Sequence, residues 1–257
     1  MEEKTKLSYR RRGIYLLPNL FTTAALFAGF YAIVAAMNLR FDHAAIAIFV
    51  AMVLDGVDGR VARMTNTQSD FGAQYDSLSD MVSFGLAPAL VMYKWSLASM
   101  VSMGWQWGKI GWIAAFVYTA CAAMRLARFN TQLGGVADKN YFQGLPSPSA
   151  AAVVAGLVWV GVDNRWEGSM VSIPAMLLTL TAGLMMVSNV FYYSFKEVNY
   201  RSPVPFLTIL IIVLALALGS INAPLLLFVI FLGYLGSGPV FAVVRRIRKQ
   251  RKGTPDT

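Results

Sequence analysis

Long apolar blocks alternate with short polar breaks along the whole chain. The blocks lie near 14–37, 43–64, 72–95, 106–128, 147–162, 173–193, 203–219 and 222–244. A helix needs about 20 apolar residues to cross the hydrocarbon core of a bilayer, and most of these blocks provide them. The fifth is short, which predicts a helix thinly covered or packed inside a bundle. The expected fold is all-α: a polytopic membrane helical bundle of about eight transmembrane helices. Pro18 and Asn19 are read as the capped start of the first helix.

Composition supports this pattern. Of 257 residues, 57% are hydrophobic and 14% charged, whereas a soluble domain carries about 25% charged residues. The first apolar block is too long for the h-region of a signal peptide, so it is expected to remain as a span. The formal charge of +9 does not point to nucleic acid, because it gathers at the ends. Lys4, Lys6, Arg10, Arg11 and Arg12 precede the first block; Arg245, Arg246, Arg248, Lys249, Arg251 and Lys252 follow the last. Basic flanks stay in the cytoplasm, so both termini are expected there, which an even number of spans allows. Arg60, Arg63, Arg125, Arg128, Lys139, Lys196 and Arg201 then fall on the inner side, and Arg40, Lys94, Lys109 and Arg165 on or near the outer. The basic ends also suit anionic membrane lipids. The expected location is a bacterial-type inner membrane with the active site at its cytoplasmic face.

One segment breaks the apolar rule. Asp55, Asp58, Gly59, Ala62, Arg63, Gly72, Asp76 and Asp80 follow the spacing D-x2-D-G-x2-A-R-x8-G-x3-D-x3-D. Each aspartate inside a membrane helix costs about 2.5–3.5 kcal/mol on insertion scales, so four together need a compensating charge. The i, i+3 and i, i+4 spacings place each pair on one helix face, with Cβ atoms about 5–6 Å apart. The polar connection around 65–71 is short, so the two helices form a hairpin and the four carboxylates converge. Oxygen-only ligation suits Mg²⁺ or Mn²⁺ with a phosphate-bearing substrate completing the shell. Gly59, Ala62 and Gly72 leave room for a ligand against the backbone, although such residues also serve simple helix packing. Arg63 can contact a phosphate oxygen, or act only as a topology anchor. Cys121 is the single cysteine and His43 the single histidine. His43 lies between the first two spans on the outer side, so a general base at the acid cluster must be a carboxylate.

This spacing resembles the signature of the CDP-alcohol phosphatidyltransferase family, with every fixed position filled. The resemblance implies a membrane enzyme that moves the phosphatidyl group of a CDP-linked lipid onto an alcohol and releases CMP. It also implies Asp55, Asp58 and Asp76 as metal ligands, with Asp80 as the base near the acceptor hydroxyl and a further candidate ligand. Asn19 could face the diphosphate.

Three more stretches lie on the same side: Ser83-Phe84-Gly85-Leu86-Ala87-Pro88, Arg125-Leu126-Ala127-Arg128-Phe129-Asn130 and Phe142-Gln143-Gly144-Leu145-Pro146-Ser147-Pro148. Together they resemble the phosphatidylserine synthase branch of the family. That resemblance implies CDP-diacylglycerol and L-serine as substrates. Arg125 and Arg128 share a helix face and could grip one carboxylate or phosphate, with Asn130 just past the helix end; snorkelling anchors are the plainer alternative for the arginines. Other alcohols stay open as acceptors, namely glycerol 3-phosphate, choline or an inositol phosphate, and a phosphorylated one would use the same arginine pair. A divalent-cation transporter is the rival from another class, but the acids sit at one surface and no matching repeat appears. The expected organisation is a basic segment 1–13, a catalytic membrane domain 14–200, additional helices 201–244 and a basic tail 245–257. Asn189, Lys196, Glu197 and Arg201 read as a solvated inner loop. Trp105, Trp107 and Trp112 read as an interfacial belt. Gly233, Gly236 and Gly238 suggest close helix contact and a homodimer interface.

Overall fold

The computed structural model describes residues 2–65, 69–132, 141–193, 219 and 221–252, with side chains at 18–65, 69–131, 142–193, 219 and 221–243. The expected seventh span, 203–219, lies outside the described residues except for Gly219. So do the side chains of the basic ends and of Lys139, Lys196, Glu197 and Arg201.

Helices α1 (Glu2–Met37) and α2 (Phe41–Thr65) form a hairpin. Their buried faces are mainly alanine: Ala25, Ala28, Ala32, Ala35 and Ala36 on α1, and Ala44, Ala45, Ala47 and Ala51 on α2. Small side chains let two backbones approach closely where no hydrophobic effect drives helix pairing. The turn closes with Arg40 N–H on Ala35 O at 2.9 Å and Leu39 N–H on Ala36 O at 3.0 Å, Leu39 taking the left-handed position. Pro18 lies inside α1, which corrects its reading as a helix start. An interior proline loses its own N–H bond and crowds the carbonyl four residues earlier, yet the helix runs through it.

The third expected span is one continuous rod: α3 (Asp70–Asp80), a π-helical turn (Met81–Leu86) and α4 (Ala87–Trp95). Ser69 caps α3, its Oγ accepting from Gly72 N–H at 3.0 Å. The π turn holds the buried Ser83, Phe84 and Gly85. Pro88 cannot donate to the turn before it, and the buried Tyr118 hydroxyl donates to the Phe84 carbonyl four residues earlier, at 3.0 Å. Gly29 of α1 sits against this turn, where a Cβ would lie 2.5 Å from Ser83 Oγ. Ser83 and Ser79 donate to the carbonyls of Ala25 and Thr22, both at 3.1 Å. These contacts fix the rotation of α3 against α1, and hence where its acids point.

Helix α5 (Trp105–Gln132) follows a 3₁₀ segment, Leu97–Met103. Helix α6 (Ser147–Asp163) is buried without a break from Ala150 to Gly156, so the short fifth block is the central helix of the bundle. Helix α7 (Ser172–Val187) ends earlier than the apolar pattern suggested. The sixth block continues to residue 193, but Ser188 turns extended and Phe191–Tyr193 forms strand β2, antiparallel to β1 (Tyr141–Gln143). Gly144, at φ +79°, donates to Val190 O at 2.8 Å, and Leu145 donates to Met185 O at 2.9 Å. Main-chain pairing with the segment before α6 therefore replaces a further turn of α7.

Helix α8 (Ala223–Lys252) contains Pro239, and here too a buried tyrosine covers the proline's lost bond. Tyr192 of β2 donates its hydroxyl to Leu235 O, four residues before Pro239, at 3.1 Å. Gly238 makes room for the Tyr192 ring, so its close contact lies within the chain; Gly233 and Gly236 have nothing within 4 Å of a built Cβ.

Pro18–Met37, Asp70–Met103, Trp105–Thr131 and Ala223–Val243 are each long and apolar enough to cross a membrane, and α6 and α7 are shorter apolar helices. The protein is a polytopic integral membrane protein, helical throughout its described residues apart from the two-stranded ribbon.

Candidate active site

Of the four acids expected to converge, three form one close group and Asp58 stands beside it. Asp55 of α2 and Asp76 and Asp80 of α3 each offer an oxygen within 4.8 Å of the others. Asp58 is buried beside them, close enough to Asp55 and Asp76 for their charges to repel, and its Oδ2 accepts from Thr22 Oγ1 of α1 at 2.7 Å. Asp55 and Asp80 approach within hydrogen-bonding reach of each other. Asp76 Oδ1 is buried and has no partner among the described residues.

Three carboxylates with oxygens this close could share one hard cation. The orphaned Asp76 oxygen and the facing Asp55 and Asp80 therefore fit a hard divalent ion. His43 lies at the far end of α2, twelve residues or about 18 Å along the axis, and pairs with Asp42 at 2.9 Å.

Arg125 of α5 faces this cluster. Its guanidinium interacts electrostatically with Asp80, Nη1 donates to the buried Ser147 Oγ at 2.8 Å, and Nε is buried with no partner among the described residues. Such a donor beside Asp80 suits an anionic ligand, because a buried unmet N–H is costly.

Other expected site residues are placed differently. Arg128 points to the ribbon, where Nη2 donates to Asn189 Oδ1 at 3.1 Å. Asn130 lies inside α5, which runs on to Gln132, and not beyond its end. Its amide meets Ser77 Oγ at 3.1–3.2 Å, one residue from Asp76, so it ties α5 to α3. Asn19 reaches Gly72, whose missing Cβ would stand 3.5 Å from Asn19 Oδ1. Gly59 opens to space with nothing within 4 Å, and Ala62 is half-buried nearby. Arg63 Nε donates back to Gly59 O at 2.9 Å. Arg60 and Arg63 line a cavity of about 1160 Å³ whose other walls include Phe142, Phe191, Phe231 and Tyr234.

The sequence reading missed three positioning contacts. Thr22 sits on a helix with no motif, and only the α1–α2 packing brings it to Asp58. Ser147 belongs to the Gly-Leu-Pro-Ser-Pro stretch but reads there as the start of a helix. Asn189 reads as part of a solvated loop, yet it accepts from both Arg128 and Gln143, the latter at 2.9 Å.

Comparison with known proteins accounts for this arrangement. Residues 15–235 match the model of the CDP-alcohol phosphatidyltransferase family. The chain belongs to this family. It is similar to the CDP-diacylglycerol–serine O-phosphatidyltransferase of Helicobacter pylori, 38% identical over 191 residues, 73% of this chain and 76% of that protein. The Mycobacterium tuberculosis protein of the same name is 35% identical over 243 residues, covering 91% of this chain and 80% of the relative. The Saccharomyces cerevisiae protein of that name is 34% identical over 146 residues, 52% and 50% of the two chains. Members of this family are metal-dependent, which agrees with the acid cluster.

Proposed function

We propose that this protein transfers the phosphatidyl group of CDP-diacylglycerol to the hydroxyl of L-serine, giving phosphatidylserine and CMP. The observation that carries the reading is the meeting of Asp55, Asp76 and Asp80 beside a half-buried arginine whose Nε has no partner among the described residues.

Asp55, Asp58, Asp76 and Asp80 would hold Mg²⁺ or Mn²⁺, which would supply positive charge to neutralise the diphosphate. Arg125 receives the serine carboxylate and so holds the hydroxyl near Asp80. Asp80 takes the hydroxyl proton as the serine oxygen bonds to the phosphorus bearing diacylglycerol. The bond from that phosphorus to the bridging oxygen breaks, and CMP leaves with the electron pair. Asn19, Gly59, Ala62, Arg63 and Gly72 border the path of the diphosphate, and the apolar cavity beside Arg60 and Arg63 suits the lipid part of the donor. Eight spans with both ends cytoplasmic put this chemistry at the inner face of a cytoplasmic membrane. The division into 14–200 and 201–244, and a homodimer, belong to the same proposal.

The test is CMP release by purified protein given CDP-diacylglycerol and each alcohol in turn. Serine supports turnover on this reading. Release with glycerol 3-phosphate and none with serine sinks the acceptor assignment and keeps the reaction class.

Thr22→Val keeps the shape but removes the donor to Asp58. The Mg²⁺ or Mn²⁺ concentration for half-maximal CMP release is expected to rise about tenfold or more, the usual cost of losing a hydrogen bond behind a metal ligand. A metal titration of wild type and variant checks this.

A further inference from the structure

Three polar groups meet outside the acid cluster, at the seam between α5, the ribbon and the end of α7. Asn189 follows α7 and immediately precedes Val190 and strand β2. Its Oδ1 accepts from Arg128 Nη2 at 3.1 Å and from Gln143 Nε2 at 2.9 Å. Gln143 is the last residue of β1 and pairs with Phe191. Ser147, four residues beyond Gln143, holds Arg125. The two arginines, three apart on α5, are thus both held by the short segments that bracket the ribbon.

The ribbon's geometry depends on main-chain bonds rather than on side-chain packing at Asn189, which is exposed. Gly144 and Leu145 anchor one strand to Val190 and Met185, and the buried Tyr192 anchors the other to α8. The Asn189 amide oxygen is therefore presented to Arg128 from a fixed backbone. A long guanidinium side chain at a helix end otherwise samples many rotamers, and ordering it on binding costs affinity.

We propose that Asn189 is a positioning residue for the acceptor: it pre-orders Arg128, with Gln143 sharing its oxygen, so that the guanidinium is in place to meet the carboxylate of L-serine. This rests on the acceptor reading of Arg125 given above, and takes Arg128, three residues along the same helix, as a second contact to the same carboxylate. Asn189 does not touch the reacting phosphorus or the metal ligands. Its effect is on capture of the acceptor and not on the chemical step or on the lipid donor.

The experiment is steady-state kinetics of CMP release by the full-length protein in detergent micelles, with serine and CDP-diacylglycerol varied separately. The proteins are wild type, Asn189→Ala, Arg128→Ala and the double variant. Expected for Asn189→Ala is a serine KM raised about tenfold, the scale of one hydrogen bond to a charged group, with kcat and the donor KM changed less than about twofold. The double variant is expected to match Arg128→Ala, because the two residues act as one unit. A serine KM left at the wild-type value in Asn189→Ala, a loss that falls on kcat or on the donor KM, or losses that add in the double variant overturn the proposal. A raised serine KM in Arg128→Ala beside a silent Asn189→Ala sinks the positioning role alone. An unchanged serine KM in Arg128→Ala removes the acceptor reading of that arginine, and the role of Asn189 goes with it. Apparent melting temperatures within a few degrees of wild type separate all of these from a folding defect.

Discussion

Asp80→Asn should reduce CMP release by about a thousandfold, within the range that loss of a positioned general base produces. Asparagine has nearly the shape of aspartate and can still ligate through its carbonyl oxygen, but it cannot accept the serine proton. Asp55, Asp58 and Asp76 remain, so binding of CDP-diacylglycerol in the presence of Mn²⁺ is expected to survive. The check pairs a turnover assay with equilibrium binding of labelled donor in micelles. Retained turnover would remove Asp80 from the role of base. Loss of donor binding together with turnover would make it chiefly a metal ligand. That second outcome has a structural basis, because Asp80 shares its oxygen cluster with Asp55 and Asp76.

Arg125→Lys is expected to lower kcat/KM for serine about a hundredfold, although charge is conserved. Arginine offers a planar set of donors. Here Nη1 is spent on Ser147 at 2.8 Å, while Nε has no partner among the described residues. One ammonium has donors enough but lacks the planar fork that holds the Ser147 hydroxyl and meets a carboxylate side-on. Ser147 is fully buried, so it would also lose its hydrogen-bond donor. The donor KM should move far less, because Arg125 faces Asp80 and the start of α6 and does not line the cavity beside Arg60 and Arg63. A fall shared equally by serine and CDP-diacylglycerol would instead make Arg125 part of the general electrostatic frame around the acids.

The acid cluster was legible because it depends on local spacing alone. Asp55 with Asp58 and Asp76 with Asp80 lie on single helix faces, and a short polar break leaves the two helices little choice but to fold back. Membrane insertion makes the signal stronger still, since four acids in apolar surroundings cannot be incidental. The end of α7 was not legible. Phe191, Tyr192 and Tyr193 suit a membrane helix and a strand equally well, and the choice between them rests on Gly144, Leu145 and β1, nearly fifty residues away in the chain. Pro18 misled for a related reason. A proline after a polar segment reads as a helix start, but whether residues before it are also helical is decided by neighbours rather than by the proline.

The sequence by itself determined that this chain is a polytopic membrane protein and that its acids gather on one helical hairpin, in a spacing that resembles the CDP-alcohol phosphatidyltransferase signature. Each of these follows from hydropathy or from spacing within one or two helices. Only the tertiary structure decided which neutral residues support that chemistry: Thr22 against Asp58, Ser147 against Arg125, and Asn189 against Arg128. A hydroxyl or an amide has the same look in a cap, a turn or a support beneath a charged group. What distinguishes these roles is the partner, and the partners come from other helices brought near by packing of alanine faces and by two tyrosines bonded to carbonyls in front of prolines.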